Sequence, residues 1–277
     1  MVVDFDELTR LAFQENDLPS LAELADYYYK NGEWDKAFNC ALRGSLRSYS
    51  VAERKLGFFY EKGIGCEADM EKAFNYYTLA HQHYDTNAAF NLALLYSEGR
   101  GCQKDETRAF ELAVEASEAQ NVNAFKLLAK FYYKGIGTTK DEKKGYQYLK
   151  LALEHGDVSV YYALGLNKLK GCGTDKNNEE AFRYLISGAE ENDINCIYAV
   201  GMLFSQGDGV DKDLTKACYW FDRGAKANDS RCMYNLSLFY QSGIYFKKDE
   251  SKANYWLKKS ADLGFRKAQD KLNSVQG

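Results

Sequence analysis

Apolar residues along this chain recur at helical spacing, in runs of about a dozen residues that alternate with short polar turns. In the stretch AAFNLALLYSEG, residues 88 to 99, Ala88, Leu92, Leu95 and Tyr96 fall on one helical face. Ala89 and Ala93 thin an adjacent side, so that a second helix can approach. Gly99 predicts a helix end in a left-handed conformation, and Gly101 a turn that doubles back. The next run, ETRAFELAVEASEA, predicts a second helix opening near Asp105, with Ala109, Leu112, Ala113 and Ala116 inward and an acid placed to cap free amides.

That two-helix pattern repeats. Written in blocks of 36, the sequence aligns Gly63, Gly99, Gly135, Gly171, Gly207 and Gly243 in one column, and Gly65, Gly101, Gly137, Gly173 and Gly209 in another. Leu56, Leu92, Leu128, Leu164, Val200 and Leu236 stand seven residues before the first column. Ala73, Ala109, Gly145, Ala181, Ala217 and Ala253 stand ten after it, and a small column includes Ala88, Ala124, Cys196 and Cys232. A single helix pair cannot bury its own apolar face, so units in such a register must stack on their neighbours. In the last unit Tyr245 replaces the second glycine, which predicts a loop of different shape.

One pair is out of period. In LADYYYKNGEWDKA, Ala37 lies thirteen residues beyond Leu24, whereas Ala73 lies seventeen beyond Leu56, which predicts a shorter first turn. The expected organisation is a single solenoid domain over 1–277: a helical cap at 1–19, a tetratricopeptide-like pair at 20–51, six 36-residue repeats at 52–264 and a capping helix at 265–277.

The segment AERKLGFFYEKGIGCEADMEKAFNYY, from Ala52 onward, resembles the Sel1-like repeat family, relatives of the tetratricopeptide repeats, and the resemblance runs to about Gly264. It implies an all-α fold, a right-handed α-solenoid of tandem two-helix repeats. It further implies a protein- or peptide-binding adaptor, often in bacterial signalling and host interaction, with no catalysis. In the related arrangement first helices line a concave side, and the residue three before the Leu-Gly glycine points into the groove. That column here is Ala22, Arg54, Phe90, Lys126, Tyr162, Tyr198 and Tyr234.

The tyrosines offer rigid apolar area with a polar handle, as interface anchors do; they also suit rings that tile an inner wall. Beside them run Phe58, Leu94, Lys130, Leu166, Met202 and Leu238. Asn87, Asn123, Ser159 and Asn195 form a further column, suited either to gripping an extended peptide backbone or to capping their own helices, and capping is the preferred reading.

Composition narrows the remaining classes. A net charge of −4 with 27% charged residues carries no nucleic-acid footprint. Seven cysteines without Cys-x-x-Cys spacing and three histidines leave little material for zinc, and no metal or cofactor is expected. His81 and His83, two apart near a helix end, read as solvent-facing polar residues. Cys196 and Cys232 read as buried packing, while Cys66, Cys102 and Cys172 lie in the glycine loops. Gly-x-Gly here lacks the strand and the Lys-Ser or Lys-Thr of a phosphate loop. The acidic start MVVDFDELTRLAFQEND and the absence of a long apolar run predict a cytoplasmic protein without membrane insertion, monomeric or weakly self-associating. The leading expectation is a non-enzymatic scaffold binding a protein segment in its groove. A dedicated immunity or effector-type binder, and an enzyme with a site invisible in the sequence, stand as alternatives.

Overall fold

A computed structural model of the chain describes residues 5–276. Among the described residues there are sixteen α-helices, one 3-10 turn and no strand, in agreement with the all-α solenoid expectation. The chain divides into two compact units, Met1–Asp141 and Glu142–Gly277.

The first unit holds α1 (Phe5–Phe13), α2 (Leu18–Lys30), α3 (Trp34–Ser45), α4 (Ser50–Lys62), α5 (Met70–Gln82), α6 (Thr86–Glu98), α7 (Glu106–Glu118) and α8 (Val122–Lys134). Within this unit each helix packs on its neighbours in sequence. Leu8 and Ala12 of α1 are buried in a cluster with Leu21, Leu24 and Tyr28 of α2; the first four residues of the expected N-terminal cap lie outside the described ones. The α2–α3 turn is the short one, with Gly32 at φ +76°.

The second unit holds α9 (Glu142–Glu154), a 3-10 turn (Val158–Val160), α10 (Tyr161–Lys170), α11 (Asn178–Glu190), α12 (Ile194–Gln206), α13 (Leu214–Lys226), α14 (Ser230–Ser242), α15 (Glu250–Asp262) and α16 (Arg266–Gln276). A continuous core of Leu185, Ile197, Val200, Phe204, Phe221 and Leu236 runs through α11 to α14. The 3-10 start of the fourth glycine-loop repeat occurs where branched Val160 fills the buried slot that Ala88, Ala124, Cys196 and Cys232 fill elsewhere. Ala268 of α16 is buried against Leu257 and Ala261, and Leu272 packs beside it.

The glycine columns do two different jobs. The first column ends α4, α6, α8, α10, α12 and α14 in the left-handed region, at φ between +68° and +78°. The second column is also left-handed, and it lets the loop lie directly on the start of the preceding second helix. A Cβ at Gly101 would stand 1.9 Å from the Met70 carbonyl oxygen, and one at Gly137 would stand 1.9 Å from that of Glu106. Tyr245 has left that conformation, so its loop differs from the others as expected, and the neighbouring Phe246 ring stacks on Tyr240 at 4.3 Å.

Helix starts are set by carboxylates and amides. Asp69, Asp105, Asn177, Asp213 and Asp249 each accept a hydrogen bond of 2.9 to 3.0 Å from the backbone N–H three residues on, the capping role predicted at Asp105.

Candidate functional site

Within each unit one pair of successive first helices touches, α2 with α4 and α10 with α12, and among the described residues no pair of successive second helices comes as close. The first-helix side is therefore the inner one, and the column from Arg54 to Tyr234 can be judged by what its side chains meet there.

In the first unit three cations in or beside the inner column, Arg54, Lys55 and Lys62, are already committed. Arg54 donates to Asp85 at 2.8 Å, and Asp85, almost fully buried, also caps α6 through the N–H groups of Asn87 and Ala88. Lys55 pairs with Asp26, and Lys62 with Glu61 at 2.9 Å. Glu61 in turn accepts from the buried Tyr77 hydroxyl at 3.0 Å. Burial works to raise the Glu61 carboxyl, yet the bonds from Lys62, Tyr77 and Arg100 outweigh it and hold the group below its ordinary range. Between these groups opens a depression of about 450 Å³, walled by Tyr29, Phe58 and Leu94 and edged by Lys55, Lys62 and Asn91. Phe90 and Lys126 are half-buried in the same column. Phe58 and Leu94 were legible in the sequence, whereas Tyr29 and Asn91 were not singled out; their signal was the inner phase of α2 and α6.

In the second unit Tyr162, Tyr198 and Tyr234 are all half-buried. Tyr198 has the Arg231 guanidinium 4.6 Å above its ring centroid and Phe221 at 6.3 Å on the core side. Burial raises its hydroxyl above the ordinary phenol value, with Arg231 opposing. Tyr234 meets Phe265, the residue just before α16, edge-on at 5.4 Å. Leu166, Met202 and Leu238 lie one helical turn further along the same helices and are half-buried too.

The asparagine column requires a correction. Asn87, Asn123 and Asn195 are not caps: they sit inside the first turns of α6, α8 and α12, and the caps are Asp85, Asn121 and Asp193, two residues earlier. The chain enters those caps through a left-handed residue, Tyr84, Gln120 or Asn192, and this shifts the helix start upstream of the column. The displaced side chains link repeats instead. Asn87 accepts from Asn121 Nδ2 at 2.9 Å, and Asn195 accepts from Arg231 Nη2 at 3.0 Å. Asn123 is exposed in the equivalent position.

The histidines diverge: His81 Nε2 lies 2.8 Å from Glu115 and His83 Nδ1 lies 2.7 Å from the buried Glu53 carboxylate. Among the described residues no group of three or more potential ligands gathers for a metal. Cys196 and Cys232 are fully buried in the small column, and burial pushes both thiols well up.

Helix pairs of one length, stacked in register and joined by left-handed Gly-x-Gly loops, define a helical-repeat protein. The chain belongs to the Sel1 repeat family, whose model matches residues 50–80, 86–121, 127–157, 158–193, 194–229 and 230–265. A protective antigen present in uropathogenic Escherichia coli strains, displaying an SLR fold, superposes with a TM-score of 0.87 at 25% identity over 96% of this chain and 58% of that one. A Sel1 repeat protein from Oxalobacter formigenes superposes with a TM-score of 0.74 at 29% identity, over 87% of this chain and 96% of that one. The Activator of C kinase protein 1 of Saccharomyces cerevisiae is 48% identical over 48 residues, 16% of this chain and 8% of the relative. The chain thus spans little more than half of the E. coli antigen, and its match to the yeast relative is confined to a small part of that protein.

Proposed function

We propose that the chain is a binding scaffold which holds a segment of a partner protein on the inner face of its C-terminal unit, with Tyr162, Tyr198 and Tyr234 as anchors. The observation that carries this reading is the state of Tyr198, a ring fixed from two sides by Arg231 and Phe221 yet left half-open. An aromatic already held in place loses little freedom on binding, which is what a central anchor needs. Leu166, Met202 and Leu238 widen the apolar strip, and the fold is one whose repeats commonly mediate protein–protein contacts.

Protein rather than nucleic acid fits this surface, because Arg54, Lys55 and Lys62 of the first unit are tied to Asp85, Asp26 and Glu61 and are poorly placed to release counterions from phosphates. No helix among the described residues is long and apolar enough to cross a membrane. Cys40, Cys196, Cys218 and Cys232 serve as buried thiols, which suits a reducing, cytoplasmic setting and a monomeric adaptor without catalytic duty.

A photoreactive phenylalanine analogue placed at Tyr198 in the native cell tests the reading. It should trap a discrete partner band that the same analogue at exposed Arg183 does not. Trapping at Arg183 alone, or at neither position, overturns the assignment.

A further inference from the structure

A repeat protein supplies its own internal control, since each column records what the scaffold needs at that point. On the second helices one column reads Asn75, Glu111, Gln147 and Arg183, polar every time, and then Tyr219 and Tyr255. Both tyrosines are open, 58% and 51% exposed, on α13 and α15. The column one turn further on changes at the same two repeats, from Leu79, Glu115, Leu151 and Ser187 to Arg223 and Lys259. Neither change is required by stacking, because the earlier repeats build the same helices without it.

The changed residues give α13 and α15 the same exposed face, each assembled within its own helix. Tyr219 sits edge-on to Trp220 at 5.3 Å, and Tyr255 to Trp256 at 5.1 Å. Arg223 lies 5.1 Å over Trp220, and Lys259 lies 4.9 Å over Tyr255. Lys226 and Lys252 are neutralised by Asp222 and Asp249, but among the described residues Arg223, Lys258 and Lys259 have no carboxylate partner, Arg223 donating only to the Asn192 side-chain oxygen at 2.5 Å. The equivalent helix α7 has the opposite character, with Arg108 against four glutamates. In a chain of net charge −4, the last two second helices therefore combine open aromatic area with unneutralised positive charge.

We infer that the outer face of α13 and α15 is a second docking surface, for an acidic protein segment that carries apolar side chains between its carboxylates. Carboxylates satisfy Arg223, Lys258 and Lys259, and apolar side chains cover Tyr219 and Tyr255. Lying on second helices, this face is separate from the inner tyrosine column and can be occupied at the same time, which suits a scaffold joining two partners.

The test selects random short peptides displayed on phage against the full chain, then titrates the enriched peptides, fluorescein-labelled, by anisotropy. The inference expects acidic peptides with an aliphatic or aromatic residue. Their affinity should fall by about tenfold or more in Tyr219→Ser/Tyr255→Ser. It should fall comparably in Lys258→Glu/Lys259→Glu, weaken with added salt and be unchanged in Tyr198→Ala, which removes the anchor of the inner site. The lysine pair gives the reading if the tyrosine pair fails to fold by circular dichroism. Failure to enrich any peptide sensitive to these substitutions overturns the inference, as does a sensitive set without acids. So does co-sedimentation with phosphatidylserine–phosphatidylcholine vesicles that these substitutions abolish, which assigns the face to membranes. Self-association abolished by them assigns it to a second copy of the chain.

Discussion

Arg231 rests 4.6 Å above the ring of Tyr198, one repeat back in the sequence, while its guanidinium bonds Asp229 at 2.6 Å and Asn195 at 3.0 Å. One side chain thus ties the cap of α14 to the inner face of α12. Its removal should loosen Tyr198 without dismantling the core. Arg231→Ala should cost about 1 kcal/mol in urea unfolding, a modest value because the side chain is partly solvated and its ion pair partly screened. A loss like that of a large core deletion would place Arg231 in the core rather than at the groove.

The two glycine columns should respond differently to alanine. Gly135→Ala places its Cβ 3.3 Å from the nearest atom, so left-handed strain dominates, about 1 kcal/mol. Gly137→Ala adds a collision 1.9 Å from the Glu106 carbonyl oxygen and should cost about 2 to 4 kcal/mol in all. Thermal or urea unfolding of the two variants compares them directly; equal losses would contradict the separate roles.

Gly224 and Cys232 form a matched pair. A Cβ on Gly224 would come 2.3 Å from the Cys232 sulfur, whereas the corresponding slots of α5 and α6 hold Ala80 and Ala88. Gly224→Ala alone should destabilise by about 1 to 3 kcal/mol through overpacking. Adding Cys232→Ala should recover part of that loss, a coupling readable in a double-mutant cycle. Strict additivity would show that the pair is not in contact.

Much of the fold was legible because the repeat imposes its needs in residue types that have few substitutes. Only glycine meets both the left-handed turn and the close approach at Gly101, and only small side chains fit between helices at Ala88 or Cys196. The starts of the first helices were misread by two residues for the opposite reason. The left-handed residue before each cap is Tyr84, Gln120, Gly156, Asn192 or Asn228 in turn, a mixture that announces no common conformation. Arg231, 36 residues after Asn195, stands where the next asparagine of the column would fall, and it continues the inter-repeat link in space, since its guanidinium reaches Asn195 as an amide reaches Asn87. The depression beside Tyr29 depends on how α2, α4 and α6 are set against each other, and single columns do not carry that information.

Stability should decline in alkali. Burial pushes the Cys218 thiol from 9.0 up to about 12 and Cys40 up to about 11, and drives Cys196, Cys232 and the Tyr77 phenol higher still. A raised folded value means the folded state keeps a proton that the unfolded chain has released. The stabilisation is therefore full below the ordinary thiol value and falls as pH rises from about 9 towards 12. Urea midpoints should drop across that window, and Cys218→Ala should flatten part of the drop. With a thiol reagent at neutral pH, half-buried Cys66 and Cys102 should be labelled in the folded protein, and Cys196 and Cys232 only after unfolding. Rapid native labelling of Cys232 would contradict its packing role.

The central claim is that Tyr198 anchors a partner segment, and calorimetric titration of the trapped partner against wild type, Tyr198→Phe and Tyr198→Ala tests it most directly, each variant accompanied by a thermal melt. Tyr198→Phe keeps the ring under Arg231 and should bind within about fivefold of wild type, the loss of one modest hydrogen bond. Tyr198→Ala should weaken binding roughly thirtyfold, about 2 kcal/mol, with a melt close to that of Tyr198→Phe. Wild-type affinity in Tyr198→Ala, or a loss of binding that only follows a collapse of the melting temperature, would contradict the account.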